Sequence, residues 1–217
     1  MTLGPICEVS IHDDRSLAMA AWADELRAMS AVGLLYARDS YDRERYARLR
    51  QIAEAMFGVL SGVDADEVHA RLDADIGYVT PKVGVAAAIF DQERRILLVR
   101  RRDNGLWAMP GGWADVGESA AEMAAREVRE ETGLGVTVDR LLGLYDSRKR
   151  GFRHPHQIYH VVFCCTAVTG TPVQTEETLG VDWFAADALP PLSPGHLDPI
   201  GDAFHALADP SLPAVFD

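Results

Sequence analysis

Three glutamates near the middle of the chain have the spacing of a metal-binding cluster. Glu127, Glu130 and Glu131 stand at i, i+3 and i+4, so a helix places their carboxylates on one face. Like charges at that spacing destabilise an isolated helix by roughly a few tenths of a kcal/mol per pair. Oxygen ligands grouped in this way suit Mg²⁺ or Mn²⁺, which would offset the repulsion. The alternative interpretation is a solvated acidic helix face.

The residues around these glutamates follow a longer pattern. Gly112 is followed after five residues by Glu118 and, after seven more, by REVREETGL at residues 126–134. This is G-x5-E-x7-R-E-U-x-E-E-x-G-U, with U apolar, and every defined position is filled. The stretch resembles the Nudix box of the Nudix hydrolase family, and the full pattern favours the metal-binding interpretation over the solvated face.

The resemblance implies a metal site and a reaction. Glu127 and Glu131 are similar in position to the family's principal metal ligands, Glu130 to a further ligand or base, and Gly112 to a carbonyl ligand. Family members hydrolyse a nucleoside diphosphate linked to another moiety, by attack of water on a phosphorus of the diphosphate bridge. Mg²⁺ or Mn²⁺ is the implied cofactor. Gly111 and Gly112 are also predicted to let the backbone turn tightly before the helix.

The resemblance also implies supporting residues and a base. Arg126 would orient the carboxylates by ion pairing, and Glu118 would support the loop-to-helix geometry or bind a further cation. The general base varies within the family and sometimes lies outside the box. Glu176 and Glu177 precede a predicted strand, where such a glutamate often falls, but Gly180 stands where an acidic residue is often seen. The base therefore stays open between the box and this pair, with Glu177 the outside candidate.

Residues outside the box are candidates for substrate contacts. Trp107 is either a core aromatic residue or a stacking platform for a nucleobase. Arg101 or Arg102 either grips a phosphate or is solvated. Arg150 and Arg153 belong to a basic segment that either reaches a phosphate or phosphocholine-like group or forms an exposed loop.

Three histidines follow the basic segment and invite a zinc interpretation. His154, His156 and His160 are close in sequence. Pro155 and a predicted change from loop to strand between them make converging ligand geometry a poor prediction. We therefore do not predict a zinc site.

The elements that must position these residues fall into two regions. Residues 16–75 show helical spacing of apolar side chains, including Trp22, Leu26, Tyr46 and Met56. Asp39 or Ser40 is the predicted cap of the second helix, and a third is predicted to begin near Asp64. This region is predicted to be a packing or dimerisation module without chemistry of its own.

From residue 78 onward the pattern changes to strands with a central helix. KVGVAAAIF and RILLVRR are predicted strands joined near DQER, followed later by VTVDRLLGLYD, QIYHVVFCCTAV and GVDWF. Ser119 is the predicted N-cap of a helix that ends at Thr132, with Gly133 as its stop. A closing helix is predicted over residues 197–208. Strands mixed with a central and a late helix predict an α/β layer structure.

The resemblance extends over most of the chain. WADELRAMSAVGLLYARDSYDRERYARLRQIA resembles the helical amino-terminal domain of one Nudix subgroup, and PGGWADVGES, HPHQIYH and LPPLSPGH resemble that subgroup too. The implied fold class is α/β, a Nudix α/β/α sandwich with a mixed sheet plus a small N-terminal helical domain. We predict a helical dimerisation domain over residues 1–77, which would form a homodimer, and a Nudix hydrolase domain over residues 78–217.

Composition narrows the class of protein. The formal net charge of −12 disfavours non-specific binding to nucleic acid or to an anionic membrane surface. Three cysteines, Cys7, Cys164 and Cys165, cannot form a disulfide framework. The amino terminus has no signal-peptide pattern, and the longest apolar run is too short to span a bilayer. We therefore predict a cytoplasmic protein, and the resemblance implies a small-molecule nucleotide as its substrate.

The resemblance orders the hypotheses on function. Similar subgroup members act on CDP-choline, which implies hydrolysis of CDP-choline to CMP and phosphocholine. An ADP-ribose or nucleotide-sugar pyrophosphatase is the alternative within the same chemistry. Alternatives of another class are a non-catalytic Nudix module that senses a nucleotide and a hydrolase that processes RNA.

Overall fold

The chain folds into two compact units. The computed structural model describes residues 14–62, 67–69, 79–150 and 156–217. One unit comprises Met1–Lys82 with Arg153–Gln157, and the other comprises Val83–Phe152 with Ile158–Asp217. Among the described helices, none combines the length and the apolar character that a membrane span requires. The predicted boundary between residues 77 and 78 lies outside the described residues and stays a prediction.

Two long helices form the described part of the helical unit. They are α1 (Asp14–Tyr36) and α2 (Ser40–Ser61). Asp39, one of the two predicted caps, accepts a hydrogen bond from the backbone N–H of Asp42 at 2.9 Å, and Gly62 ends α2 with a φ of 69°. The predicted cap at Asp64 lies outside the described residues, and residues 67–69 are helical.

The packed face of these helices combines small residues with the large side chain of Phe57. Ala23 packs in a small core with Phe57 and Val68. Trp22 is 60% exposed and Val59 is 77% exposed. Spacing predicted the helices, but the choice of buried face depends on close approach of the two backbones, which small side chains permit. Several large apolar side chains, Trp22 and Val59 among them, are left on the outside of the unit.

Buried hydrogen bonds fasten α1 to a later segment of the chain. An Asp24 carboxylate oxygen lies 2.9 Å from Nδ1 of His156, and the other accepts from the backbone N–H of Gln157 at 3.1 Å. Arg27 donates to the same aspartate at 3.0 Å. Burial would raise the pKa of Asp24, but the hydrogen bonds and positive partners outweigh it and hold that pKa well below its ordinary value.

The second unit contains two sheets and two helices. Its strands are β1 (Lys82–Ile89), β2 (Ile96–Arg101), β3 (Trp107–Ala108), β4 (Gly111–Trp113), β5 (Gly135–Asp146), β6 (Ile158–Thr169), β7 (Thr178–Phe184) and β8 (Val215–Phe216). Its helices are α3 (Ala120–Thr132) and α4 (Leu197–Ala208). The order β4-β1-β6-β5-β8 forms a five-stranded mixed sheet, and β3-β2-β7 forms a three-stranded antiparallel sheet.

Three clusters of buried residues build the predicted layers in the described part of this unit. The largest core joins both sheets to α4, with Ala86, Leu98 and Ile200 among its buried members. On the other face of the five-stranded sheet, Val85 packs against Met123 of α3. A mixed sheet covered by helices, together with the amino-terminal helices, confirms the predicted fold class.

The sequence predicted the ends of one helix in this unit correctly but did not predict its shortest strands. Helix α3 has the predicted capping box, since Ser119 accepts from Glu122 and Glu122 reaches back to the N–H of Ser119, and Gly133 ends it with a φ of 74°. The prediction of a tight turn at Gly111 and Gly112 is wrong, because both lie in β4 and pair with β1. Strands β3, β4 and β8 were not predicted, because two or three residues carry no readable period.

Candidate active site

Helix α3 presents an apolar face to the core and an acidic face away from it. Met123, Ala124 and Val128 are fully buried. Glu127 and Glu130 keep 14% and 36% of their side-chain surface exposed. The helix therefore holds its carboxylates at the border between core and solvent, where burial strengthens electrostatic interactions.

Arg126 lies at the centre of an acidic group, which comprises Asp115, Glu118, Glu127, Glu130 and Glu131. It donates to Glu130 at 2.6 Å, to Glu118 at 3.0 Å and to Asp115 at 3.1 Å, and it lies 3.2 Å from Glu127. The hydrogen bond to Glu118, with those of the other carboxylates, raises the pKa of Arg126 above its ordinary value. These contacts place Glu118 in the same network as the helix carboxylates, and the orienting role of Arg126 stays a prediction.

Glu131 is fixed to the strand that precedes the helix. Its Oε2 accepts a hydrogen bond from the backbone N–H of Gly111 at 2.9 Å. Burial raises the pKa of Glu131 to about 7. The Gly111 hydrogen bond and Arg101 lower that pKa, whereas the charges of Glu127 and Glu177 raise it. A carboxylate with a pKa near neutrality is typical of functional sites.

Gly112 makes room for Glu127. A Cβ built on Gly112 would lie 2.7 Å from the carboxylate carbon of Glu127. Glycine is therefore required here for close approach rather than for a turn. Burial also raises the pKa of Glu127, with Arg126 acting in the opposite direction.

The donor chemistry of this site fits a hard divalent cation. The carboxylates of Glu127 and Glu131 both border β4, and the Gly112 backbone lies against the first of them. In the described part of the chain, no three Asp, Glu, His or Cys side chains converge closely enough to hold a metal ion in this conformation. The positive charge among the carboxylates is that of Arg126. The ligand roles of Glu127, Glu130, Glu131, Glu118 and Gly112 stay predictions.

The turn that carries Glu177 lies beside the box. The hydroxyls of Thr175 and Thr178 each lie 3.4 Å from the backbone carbonyl of Glu131. Glu177 is exposed, and its charge is close enough to raise the pKa of both Glu127 and Glu131. The fold thus brings the outside candidate for the base to the acidic group, although its role stays a prediction.

Arg101 lies near the site and Trp107 lies in the core. Arg101 donates two hydrogen bonds to Asp103, at 2.9 and 2.7 Å, and its charge reaches Glu131. Arg102 is exposed. The ring of Trp107 packs edge-on against Phe184, with centroids 4.8 Å apart. These contacts favour the core interpretation of Trp107 over a stacking platform.

Arg150 makes contacts within its own unit. It donates to Asp217 at 2.7 Å, lies 3.6 Å from Asp198, and its guanidinium is 5.4 Å from the centroid of the Tyr145 ring. A substrate contact by Arg150 would compete with these partners. Arg153 lies outside the described residues, so both assignments stay predictions.

Asp115, Thr175 and Thr178 also lie at the site, although none of them was predicted from the sequence. Asp115 joins Arg126 from the loop before α3, and Thr175 and Thr178 position the Glu177 turn. Asp115 lies between Gly112 and Glu118, so its charge within the box segment could have indicated that it joins the other carboxylates. The two threonines carried no signal, because their contact with Glu131 crosses more than forty residues of chain.

Comparison with family models gives two matches. Residues 80–203 match the NUDIX domain, and residues 18–72 match the UDP-X-like, N-terminal oligomerisation domain.

Known proteins and structures are similar over most of the chain. The putative ADP-ribose pyrophosphatase YjhB of Bacillus subtilis is 36% identical over 200 residues, which is 90% of this chain and 95% of that protein. A UDP-X diphosphatase structure is 30% identical, covers 93% of this chain and 99% of its own, and superposes with a TM-score of 0.59. An ADP-ribose pyrophosphatase structure from Streptococcus suis is 34% identical, covers 64% of this chain and 100% of its own, and has a TM-score of 0.57.

Proposed function

Because the chain belongs to the NUDIX hydrolase family, we propose that it is a divalent-cation-dependent pyrophosphohydrolase acting on the diphosphate bridge of a nucleoside diphosphate linked to another moiety. The observation that carries the proposal is the acidic group on α3, with Arg126 joined to its carboxylates and Glu131 fixed to β4. A non-catalytic sensing module would not need this group.

The proposed reaction needs residues that bind the cation and a residue that positions them. Glu127 and Glu131, with the carbonyl of Gly112, would hold Mg²⁺ or Mn²⁺, and Glu130 and Glu118 complete the acidic group. A cation bound there would neutralise charge on the diphosphate and lower the pKa of the attacking water. Arg126 keeps the carboxylates in place through its hydrogen bonds.

A glutamate of the acidic group or its neighbour would take the proton from water. Glu177 is one candidate, because the threonines of its turn contact the Glu131 carbonyl and its charge raises the pKa of Glu127 and Glu131. Glu131 has a pKa of about 7, which suits proton transfer near neutral pH. The base remains open between the box and Glu177.

Two substrates are candidates within this chemistry. CDP-choline, the substrate implied by the sequence resemblance, would give CMP and phosphocholine. ADP-ribose has equal support, because the similar Bacillus subtilis protein is described as a putative ADP-ribose pyrophosphatase. The similar UDP-X diphosphatase structure extends the class to other nucleoside diphosphates.

We also propose that the chain is a cytoplasmic homodimer formed through the helical unit. The match of residues 18–72 to an oligomerisation domain supports self-association. So do the large apolar side chains left outside α1 and α2.

A substrate panel tests the proposed function. CDP-choline, ADP-ribose, UDP-glucose, NADH, nucleoside triphosphates and a capped RNA would be incubated with Mg²⁺ or Mn²⁺, and kcat/KM compared. We expect a nucleoside monophosphate and a phosphorylated second product, with ¹⁸O from labelled water on one of the two phosphates. Release of free choline from CDP-choline, or activity that survives EDTA, would contradict the proposal. Preference for the RNA would favour the RNA-processing alternative.

A further inference from the structure

A glycine in β1 leaves space for a histidine ring and also borders the backbone carbonyl of Gly112. A Cβ built on Gly84 would lie 3.2 Å from Nδ1 of His160 and 3.4 Å from its Cε1. The same point lies 3.6 Å from the carbonyl oxygen of Gly112. The ring edge therefore rests against bare backbone, next to the carbonyl that the proposed function gives to the cation. Any side chain at position 84 would crowd that ring.

The strand fixes which way His160 faces. Side chains alternate along β6, and its neighbour Val161 packs on the α3 side of the sheet. His160 therefore lies on the opposite face, the one on which Val162 enters the largest core. It is half-buried and pairs with Tyr145 in the sheet register. Its ring therefore stands on the core face of the sheet, beside Gly84 and near the start of β6.

Two further nitrogen-bearing side chains lie close to His160. Burial, together with the charges of Arg101 and His160, lowers the pKa of His196 to about 3, so both of these side chains lie within electrostatic reach of His196. Arg101 in turn reaches Glu131. Arg101 comes from β2, His160 from β6 and His196 from the residue before α4, so the fold brings together nitrogen-bearing side chains from three segments of the chain.

We propose that His160, with Arg101 and His196, forms a subsite that binds a phosphoryl group of the substrate diphosphate. The inference rests on the proposed function and adds a substrate-binding residue, His160, to it. A diphosphate carries negative charge into a protein of net charge −12, so donors are needed beside the cation. An imidazole N–H donates well to a phosphate oxygen, and a guanidinium can donate to two. Gly84 is the residue that lets His160 reach this place.

Binding of a diphosphate probe tests the subsite directly. The probe is α,β-methylene-ADP, which resists hydrolysis, titrated calorimetrically into the full-length protein with Mg²⁺. We expect His160→Ala to raise its Kd by about tenfold, the effect of losing one charge-assisted hydrogen bond. His160→Gln, which keeps a donor, should recover part of the affinity. His205→Ala is the matched control, since His205 is exposed on α4, and its Kd should equal that of the wild type.

A double-mutant cycle tests the role of the glycine. Gly84→Ala should weaken probe binding by displacing the ring, whereas adding it to His160→Ala should cost no further affinity. Thermal unfolding shows whether each variant is folded. If the Gly84→Ala protein does not fold, the probe Kd values of His160→Ala and His160→Gln alone test the subsite. In hydrolysis, His160→Ala should raise KM by about the same factor as Kd and change kcat less.

The outcomes separate this inference from the proposed function. An unchanged probe Kd in His160→Ala, with hydrolysis continuing, would overturn the subsite and leave the function standing. Weaker probe binding without hydrolysis of any panel substrate would support the subsite and contradict the function. A wild-type protein that does not bind the probe, or an equal loss of affinity for phosphate-free adenosine, would overturn the subsite.

Discussion

Glu131 combines a buried carboxylate with neighbours of like charge and one backbone donor. We expect Glu131→Gln to lower kcat by at least about a hundredfold, the scale for losing an electrostatic catalytic group. The fold should persist, because glutamine keeps the size of the side chain and can still accept from the Gly111 N–H. Steady-state kinetics with Mg²⁺ measure the effect. Glu93→Gln, an exposed glutamate in the β1–β2 connection, serves as the control.

The raised pKa of Glu131 also predicts a pH dependence of stability. Its folded-state pKa is about 7 against an ordinary 4.5, so the folded state binds this proton more tightly than the unfolded state. That contribution is fully present below pH 4.5 and is lost as the pH rises through 7. In EDTA, the free energy of unfolding of wild type relative to Glu131→Gln should therefore fall between pH 5 and pH 8. A constant difference in urea titrations would show that the pKa is not raised.

Glu177 and Glu176 form a matched pair for locating the base. The Glu177 charge reaches the box carboxylates through a turn docked on the Glu131 carbonyl. Glu177→Gln should lower kcat by at least about tenfold and remove the acidic limb of the pH–rate profile, whereas Glu176→Gln should change neither. If both variants keep the wild-type profile while Glu130→Gln loses activity, the base lies in the box.

At the scale of elements, the adjacent glycines Gly111 and Gly112 in β4 make room for different neighbours. A Cβ at Gly112 meets the flexible carboxylate of Glu127, whereas a Cβ at Gly111 meets the backbone carbonyl of Val85 in the paired strand. Gly112→Ala should therefore reduce activity with little loss of stability. Gly111→Ala should destabilise the fold by about 1–3 kcal/mol, the usual effect of overpacking. Equal effects of both substitutions on unfolding would contradict this division.

The same elements show what a sequence can predict. Helix α3 was predicted with its ends because Ser119, Glu122 and Gly133 act locally, within a turn of the residues they cap. The box residues were predicted because one contiguous pattern carries them. Thr175 and His160 were not placed at the site, because only the pairing of distant segments brings them there. The exposed position of Trp22 depends on which face packs, and local spacing does not decide that.

At the scale of the whole molecule, the exposed apolar surface of the helical unit predicts self-association. Light scattering should give about twice the chain mass of 23.7 kDa. Val59→Arg places a charge on that surface, where Val59 is 77% exposed, and should shift the mass toward that of one chain. Val168→Arg is the control, since Val168 is 58% exposed on β6 of the other unit. A wild-type monomer would contradict the homodimer.

The contact between Asp24 and His156 affects the order in which the nascent protein gains its stability. A ribosome synthesises α1 and α2 early, but the segment that pairs with Asp24 follows only after residues 83–152. During that interval the carboxylate on α1 has neither the imidazole nor the Gln157 amide that later surround it. The nascent helical unit therefore reaches its final stability only when the strands of the second unit are largely translated. For the same reason, a helical unit grafted onto another protein as residues 1–82 would leave out part of what stabilises it.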